Sequence, residues 1–486
     1  MMQEPIEGDF TLQAASQAPT EIAEPLPNDT GTMYLSGRPF KRYAFWYLIA
    51  SLGMTFGWSV VPSILVPNQI QAIEFARFFT GADAHVNLTA LEDLRTAVAS
   101  GTATATAAQQ HLLNLLGQFD ASRAQALSLI SSLGVFCTMF VQPIVGILSD
   151  RTRSRFGRRT PWILFGGIVG ALFMVSVRYA PTVAFIALLW TLAQAFLNLM
   201  SGPLTFTVAD RVAESNRGTV SSLSALGNVL GGTIGAIIIS ILFASLKLDS
   251  YFLLGGVLIF SIVGFVWVAK EPPSTDLRVP PHRWGDFFRG FLVPLRDSDF
   301  RWVWIARILL LFGYSTSSTL NFFMLQSYIH PALSAAQATQ MVPLLSIASL
   351  PAMVLALVIA GRLSDKLGRR KPFVITSSVL MAVAFIAPLI SATLPALFVE
   401  AVLAGIAFGI YLPIDQALFV DILPDKDASG RDLGIANLAT NFGQILGPLL
   451  AAQVVALTGS YGMIWTIAAV LVIISAVVIL PVKRVR

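Results

Sequence analysis

GILSDRTRSRFGRRTPWI at residues 146–163 returns, four residues shorter, as GRLSDKLGRRKPFV at 361–374. Each copy joins one long apolar run to the next, with an Asp near the end of the first and a Pro at the start of the second. A second pair of segments keeps the same order: ADRVAESNRGTVSSLSALGNVLGG from Ala209 and VDILPDKDASGRDLGIANLATNFGQILG from Val420. Asp210 and Asp421 stand 211 residues apart, as do Pro161 and Pro372, and Asn228 and Asn441 stand 213 apart. Such co-linear similarity implies two homologous halves.

The surrounding composition says what the halves are made of. Of 486 residues, 55% are hydrophobic and 12% charged, against about 25% charged in an average soluble domain. The mean hydropathy of +0.71 excludes a water-soluble core under a polar coat. Apolar runs of bilayer length, roughly 20 residues, fall near 43–67, 125–149, 161–180, 182–209, 219–246, 251–270, 302–328, 338–361, 372–392, 395–421, 433–457 and 460–482. The expected fold is an all-α membrane protein of twelve transmembrane helices in two pseudo-symmetric six-helix bundles, 41–270 and 301–486. A Pro-rich, charged linker (271–300) divides them. The polar, acidic stretch 1–40 has no charged-then-apolar signal pattern and reads as a disordered cytosolic tail. Residues 68–124 form a long outer insertion. Its segments LTALEDLRTAVA and HLLNLLGQF have the spacing of short amphipathic helices lying over the outer face.

An even number of spans puts both termini on one side, and the basic residues say which. Of the 32 Lys and Arg, 26 fall on the segments that share a side with the termini, five on the opposite side, and Arg307 within a span. By the positive-inside rule the termini are cytosolic. The net charge of +5 is therefore topological, and no nucleic-acid partner is implied. Cys137 is the single cysteine and the four histidines are scattered. With no metal-spaced cluster and no phosphate-binding glycine loop, nothing reads as an enzyme or calls for a cofactor.

The repeated loop has a physical reading of its own. Asp150 and Asp365 each end a span beside Arg158 and Arg159, or Arg369 and Arg370, at the membrane surface. The fifth and eleventh spans begin on this side with the positive ends of their dipoles. Asp150 is expected to hold the start of the eleventh span and Asp365 the start of the fifth, clamping the halves together.

The G-x-L-S-D-x-x-G-R-R pattern resembles the loop signature of the major facilitator superfamily. The first half is similar to the plant sucrose transporter and glycoside–pentoside–hexuronide symporter group. The matching residues are Phe56-Gly57-Trp58, Ser63 to Pro67, VQPIVGILSDRTRSRFGRR (141–159), Gly202-Pro203 through Asp210, and GNVLG (227–231). That resemblance implies sugar uptake coupled to a proton. The chain also departs from the group. Its fourth-span aspartate falls here on Gln194, its arginine two residues after Gly-Pro falls on Thr205, and 125–149 contains no Asp or Glu.

Charges inside a bilayer are costly enough to mark function. Arg307 and Asp415 each lie about 9 Å inside the cytosolic end of their spans, at 1.5 Å per residue, so they are the expected proton-coupling pair. Glu400 reads as interfacial. Trp58, Tyr314 and Tyr411 are expected to stack on sugar faces, and Gln194, Asn198 and Asn321 to bond hydroxyls. The expectation is a monomeric, multi-pass inner-membrane sugar–proton symporter in contact with lipid. An exporter or exchanger of an anionic or amphipathic solute, with Arg307 as counter-charge, is the alternative.

Overall fold

The computed structural model describes residues 34–276, 293–423 and 429–484. The tail 1–33 and the linker residues 277–292 lie outside the described residues. Residues 37–40, expected to belong to the tail, are the first turn of the first helix, which starts at Gly37. The described residues form helices and turns and no strand.

Among the described residues, nine helical stretches are long and apolar enough to cross a bilayer. One of them, 214–268, is two spans: Glu214–Leu246 and Ser250–Val268, separated by a 3-10 turn at which Lys247 takes φ 47°. Packing on the first span shows that the chain reverses there. Gly227, Gly231 and Gly235 run parallel to it, beside Leu48, Leu52 and Phe56, whereas Ser261 lies by Gly53 and Gly264 by Trp46, antiparallel to it. Two further spans complete the set of twelve. The seventh is broken by a 44° bend between Ser298–Ser318 and Asn321–Ser327, and the twelfth is the shorter helix Gly462–Val478.

The two halves repeat their packing as well as their sequence. A Cβ at Gly231 would lie 2.3 Å from the Leu52 carbonyl oxygen, so the fifth span rests backbone to backbone on the first. A Cβ at Gly447 would lie 2.5 Å from the Ser315 Cβ, which places the eleventh span on the seventh in the same way. Small residues four apart permit this close approach where no water drives helices together. The second and eighth spans also start alike, each with a capping box: Thr106 with Gln109, and Ser334 with Gln337.

The insertion differs in part from its sequence reading. Leu88–Ala99 is a separate helix, and Asn87 caps it by accepting from the Thr89 and Ala90 amides at 3.0 and 3.2 Å. HLLNLLGQF is not separate. It is the first part of the 44-residue helix Ala107–Asp150, which continues into the second span. Its apolar face packs Leu116 and Phe119 against Phe79 and Leu91, a small core apart from the main one. A continuous helix leaves no unpaired backbone groups at the membrane surface, which a break there would expose.

Candidate functional site

A cavity of about 500 Å³ lies between the halves, and irregular backbone shapes it. The first span widens into a π turn at Val61–Leu65, with Pro62 inside it and Pro67 two residues beyond its end, residues that cannot donate to a regular helix. Ser59 and Ser63 face the cavity from this turn. The seventh span, its counterpart, breaks beside Ser318 and Asn321, which also line it. Gly405 and Gly409 let the tenth span press on the eighth, where a Cβ would meet the Ser349 and Met353 carbonyls at 2.9 and 2.3 Å. That approach brings Ser346 and Ser349 to the wall with Glu400. Tyr314 faces the space with its ring stacked on Phe408, centroids 5.0 Å apart.

Of the candidate solute contacts, Tyr314 and Asn321 are on this wall. Trp58 is half-buried against the core of the first bundle. Gln194 and Asn198 are buried towards the second span, where the Asn198 amide donates to Thr138 Oγ1 at 2.9 Å. The amide oxygens of both have no partner among the described residues. Tyr411 is buried beside Arg307 and Asp415. Glu400, read from sequence as interfacial, instead lines the cavity. The available signal was the small-residue face that it shares with Ala401, Ala404 and Gly405.

Arg307 and Asp415 are paired away from this cavity. The Arg307 Nε donates to Asp415 Oδ2 at 2.7 Å, a second guanidinium nitrogen reaches the same oxygen, and the third donates to the Ala436 carbonyl at 3.0 Å. The guanidinium lies 4.2 Å over the Phe419 ring. One side chain thus ties the seventh, tenth and eleventh spans, and both charges are buried.

At the face that carries the termini and the repeated loops, the partners of Arg159 and Arg370 among the described residues lie within their own halves. Arg159 joins Asp150, Asp210 (3.0 Å) and Ser149 Oγ (2.6 Å), and Arg158 also holds Asp210. Arg370 does the same with Asp365, Asp421 (3.3 Å) and Ser364 Oγ (3.0 Å). Arg369 lines an apolar recess between the eighth, ninth and tenth spans. Among the described residues, Asp150 and Asp365 have these partners within their own halves; residues 424–428, at the start of the eleventh span where Asp150 was expected to act, lie outside the described residues. The geometry has a plain cause: the Arg that follows each Asp folds back over it, and the Asp ending the fourth or tenth span supplies a second carboxylate.

The opposite, insertion face joins the halves. Arg95 donates to Asp120 at 2.8 Å and to the Ser327 carbonyl at 2.9 Å. Arg123 pairs with Asp120 at 2.7 Å, bonds Ser327 Oγ, and is sandwiched between Phe119 and Phe323. Gln71 donates to Gln326 at 2.8 Å and Asn68 to Thr339 at 3.0 Å. Glu92 is buried in the same cluster. Burial, with Asp120 adding to it and Arg95 opposing, pushes its carboxyl up to about 8 from an ordinary 4.5. Among the described residues, the hydrogen bonds and ion pairs between the halves lie at this face or, like Ser132 to the Ile445 carbonyl, below it. The structure is closed on the insertion side.

The family model described as Major Facilitator Superfamily matches residues 75–356 and 308–486. Sucrose transport protein SUC4 of Arabidopsis thaliana is 32% identical over 132 residues, which are 22% of this chain and 26% of that protein. The match therefore spans about a quarter of that relative. MFS transporter asaE of Aspergillus flavus is 25% identical over 361 residues, 73% of this chain and 75% of its own. A crystal structure of the nucleoside transporter NupG superposes with a TM-score of 0.63 at 14% identity, covering 90% of this chain and 98% of that one, a likeness of fold.

Proposed function

The chain belongs to the Major Facilitator Superfamily, and from that premise we propose that it is a secondary active transporter carrying a sugar, a glucoside or disaccharide, by alternating access with a proton. It is a transporter and not an enzyme. The observation that carries the substrate class is the cavity wall: serine hydroxyls, the Asn321 amide and a stacked Tyr314–Phe408 pair, with no cationic side chain among the described residues. Hydroxyl and amide groups suit a neutral polyhydroxy solute, and an aromatic face suits the apolar side of a pyranose. The similarity to a sucrose transport protein supports the same class. The anionic-solute alternative has less support, because Arg307, its expected counter-charge, is already engaged by Asp415.

In this reading the cavity, closed at the insertion face here, opens alternately to either side as the halves rock. Protonation of Asp415 releases Arg307 and loosens the seventh span from the tenth. The repeated loop, through Asp150, Arg158, Arg159, Asp365, Arg369 and Arg370, governs closure of the basic face. The protein works as a monomer in a cell inner membrane, with both termini cytosolic.

Proteoliposome uptake tests the proposal. Sucrose, maltose and methyl α-glucoside are offered with and without an inward proton gradient. At least one should accumulate only with the gradient. Accumulation of none of them, with uptake of an organic anion instead, would favour the alternative.

A further inference from the structure

Among the described residues, Glu400 is the one on the cavity wall that carries a formal charge. It stands six residues into the tenth span, Leu394–Asp421, and no ion pair or hydrogen bond reaches it from the described residues. The elements around it offer hydroxyls, an amide and apolar groups: Ser59 and Ser63 from the first span, Ser131 from the second, Ser318 and Asn321 from the seventh, and Ser346 and Ser349 from the eighth. Tyr314 is the other titratable side chain on the wall, and it lies close enough to feel a charge on Glu400. A carboxylate so placed is costly unless something neutralises it. Asp415, on the same helix, has Arg307 for that purpose, whereas Glu400 has no counterpart. The neutralising partner must come from solution, and a proton is the one that takes no room from a solute.

We propose that Glu400 is a protonation site linked to solute binding, its neutral carboxyl donating a hydrogen bond to a solute oxygen and accepting one from a solute hydroxyl. The inference rests on the solute-cavity reading above and adds a second carboxylate to it. Glu400 and Asp415 are 15 residues apart, about 22 Å along the helix, so they act at different places. Glu400 ties the proton to occupancy of the cavity, and Asp415 ties it to the contact among the seventh, tenth and eleventh spans. Linkage makes the effect reciprocal: the proton tightens solute binding as much as the solute tightens proton binding.

The test is binding of sucrose and methyl α-glucoside to the purified full chain across a pH series. Wild-type affinity should fall about tenfold per pH unit at the alkaline end, the slope of one linked proton. Glu400→Gln, an isostere of the neutral acid, should bind with no such slope. A wild-type slope in Glu400→Gln, or no slope in the wild type, overturns the inference. Infrared spectroscopy gives a readout that needs no sugar. One carbonyl stretch of a protonated carboxylic acid, separate from that of Glu92, should vanish in Glu400→Gln and move in Glu400→Asp. If neither sugar binds but this band behaves as stated, the sugar reading fails and the protonation site stands. A band unmoved in both variants, or in Glu400→Asp alone should the other not fold, sinks the site.

Discussion

A buried guanidinium and carboxylate attract strongly but have both given up water, so their pairing matters most when one partner is removed. Arg307→Ala would leave Asp415 buried among the tenth and eleventh spans without its partner, at a cost of about 3–5 kcal/mol. The double variant with Asp415→Asn should be the milder of the two. If Asp415 takes the coupling proton, Asp415→Asn alone mimics the protonated state permanently. Uphill accumulation should then fail, while counterflow of preloaded sugar survives. Loss of folded protein together with counterflow would make the pair structural only. The sequence made this pair legible through depth, since both residues lie equally far inside their helices. Glu400 was not legible in that way. Its place on the cavity wall depends on how closely Gly405 and Gly409 let the eighth span approach, and no single helix records that distance.

Elements were readable where periodicity and capping agreed. LTALEDLRTAVA is a helix over Leu88–Ala99 with its cap at Asn87. The continuation of 111–119 into the second span was not readable, because an amphipathic stretch followed by an apolar one looks the same whether or not a turn divides them. The insertion helix carries Glu92 and Arg95 to the cluster that closes this face, and the cluster should respond to pH. With the insertion face closed, the Glu92 carboxyl sits near 8; exposed to water, it would return towards 4.5. The closed form thus binds this proton more tightly between those values. Closure is strengthened as the pH on that side falls from about 8 towards 4.5, and weakened as pH rises through 8. Hydrogen exchange of the amides of Leu88–Ala99, corrected for the chemical pH dependence, should therefore accelerate as pH rises from about 4.5 towards 8 and level off above it. Arg123→Ala removes the cation stacked between Phe119 and Phe323 and should speed exchange at every pH. Protection that ignores pH in the wild type would rule Glu92 out as the sensor.

At the scale of the molecule, the two halves were legible because each repeats the other, down to the Asp–Arg loop and the glycines of the fifth and eleventh spans. Which side would be closed was not legible. Two homologous bundles can rock either way, and the balance rests on contacts across the interface that neither half contains alone. Among the described residues, polar contacts between the halves gather at the insertion face, with Asn68 and Thr339 among them, 3.0 Å apart through their side chains. Their positions can be used to trap this state. In a Cys137→Ser background, Asn68→Cys with Thr339→Cys should be joined by a short bifunctional thiol reagent. Transport should stop on joining and return when a cleavable form of the reagent is cut. A single cysteine at Ala84, in the insertion, should meanwhile be labelled by an impermeant reagent from outside the cell, and one at Ser274, on the basic face, should not. That pattern would set the basic face in the cytosol, and the trapped protein would have its cavity sealed from outside. Labelling of Ser274→Cys from outside would invert the orientation. Unimpaired transport by the joined pair would mean that the insertion face need not open for the solute to pass, which alternating access between these halves forbids.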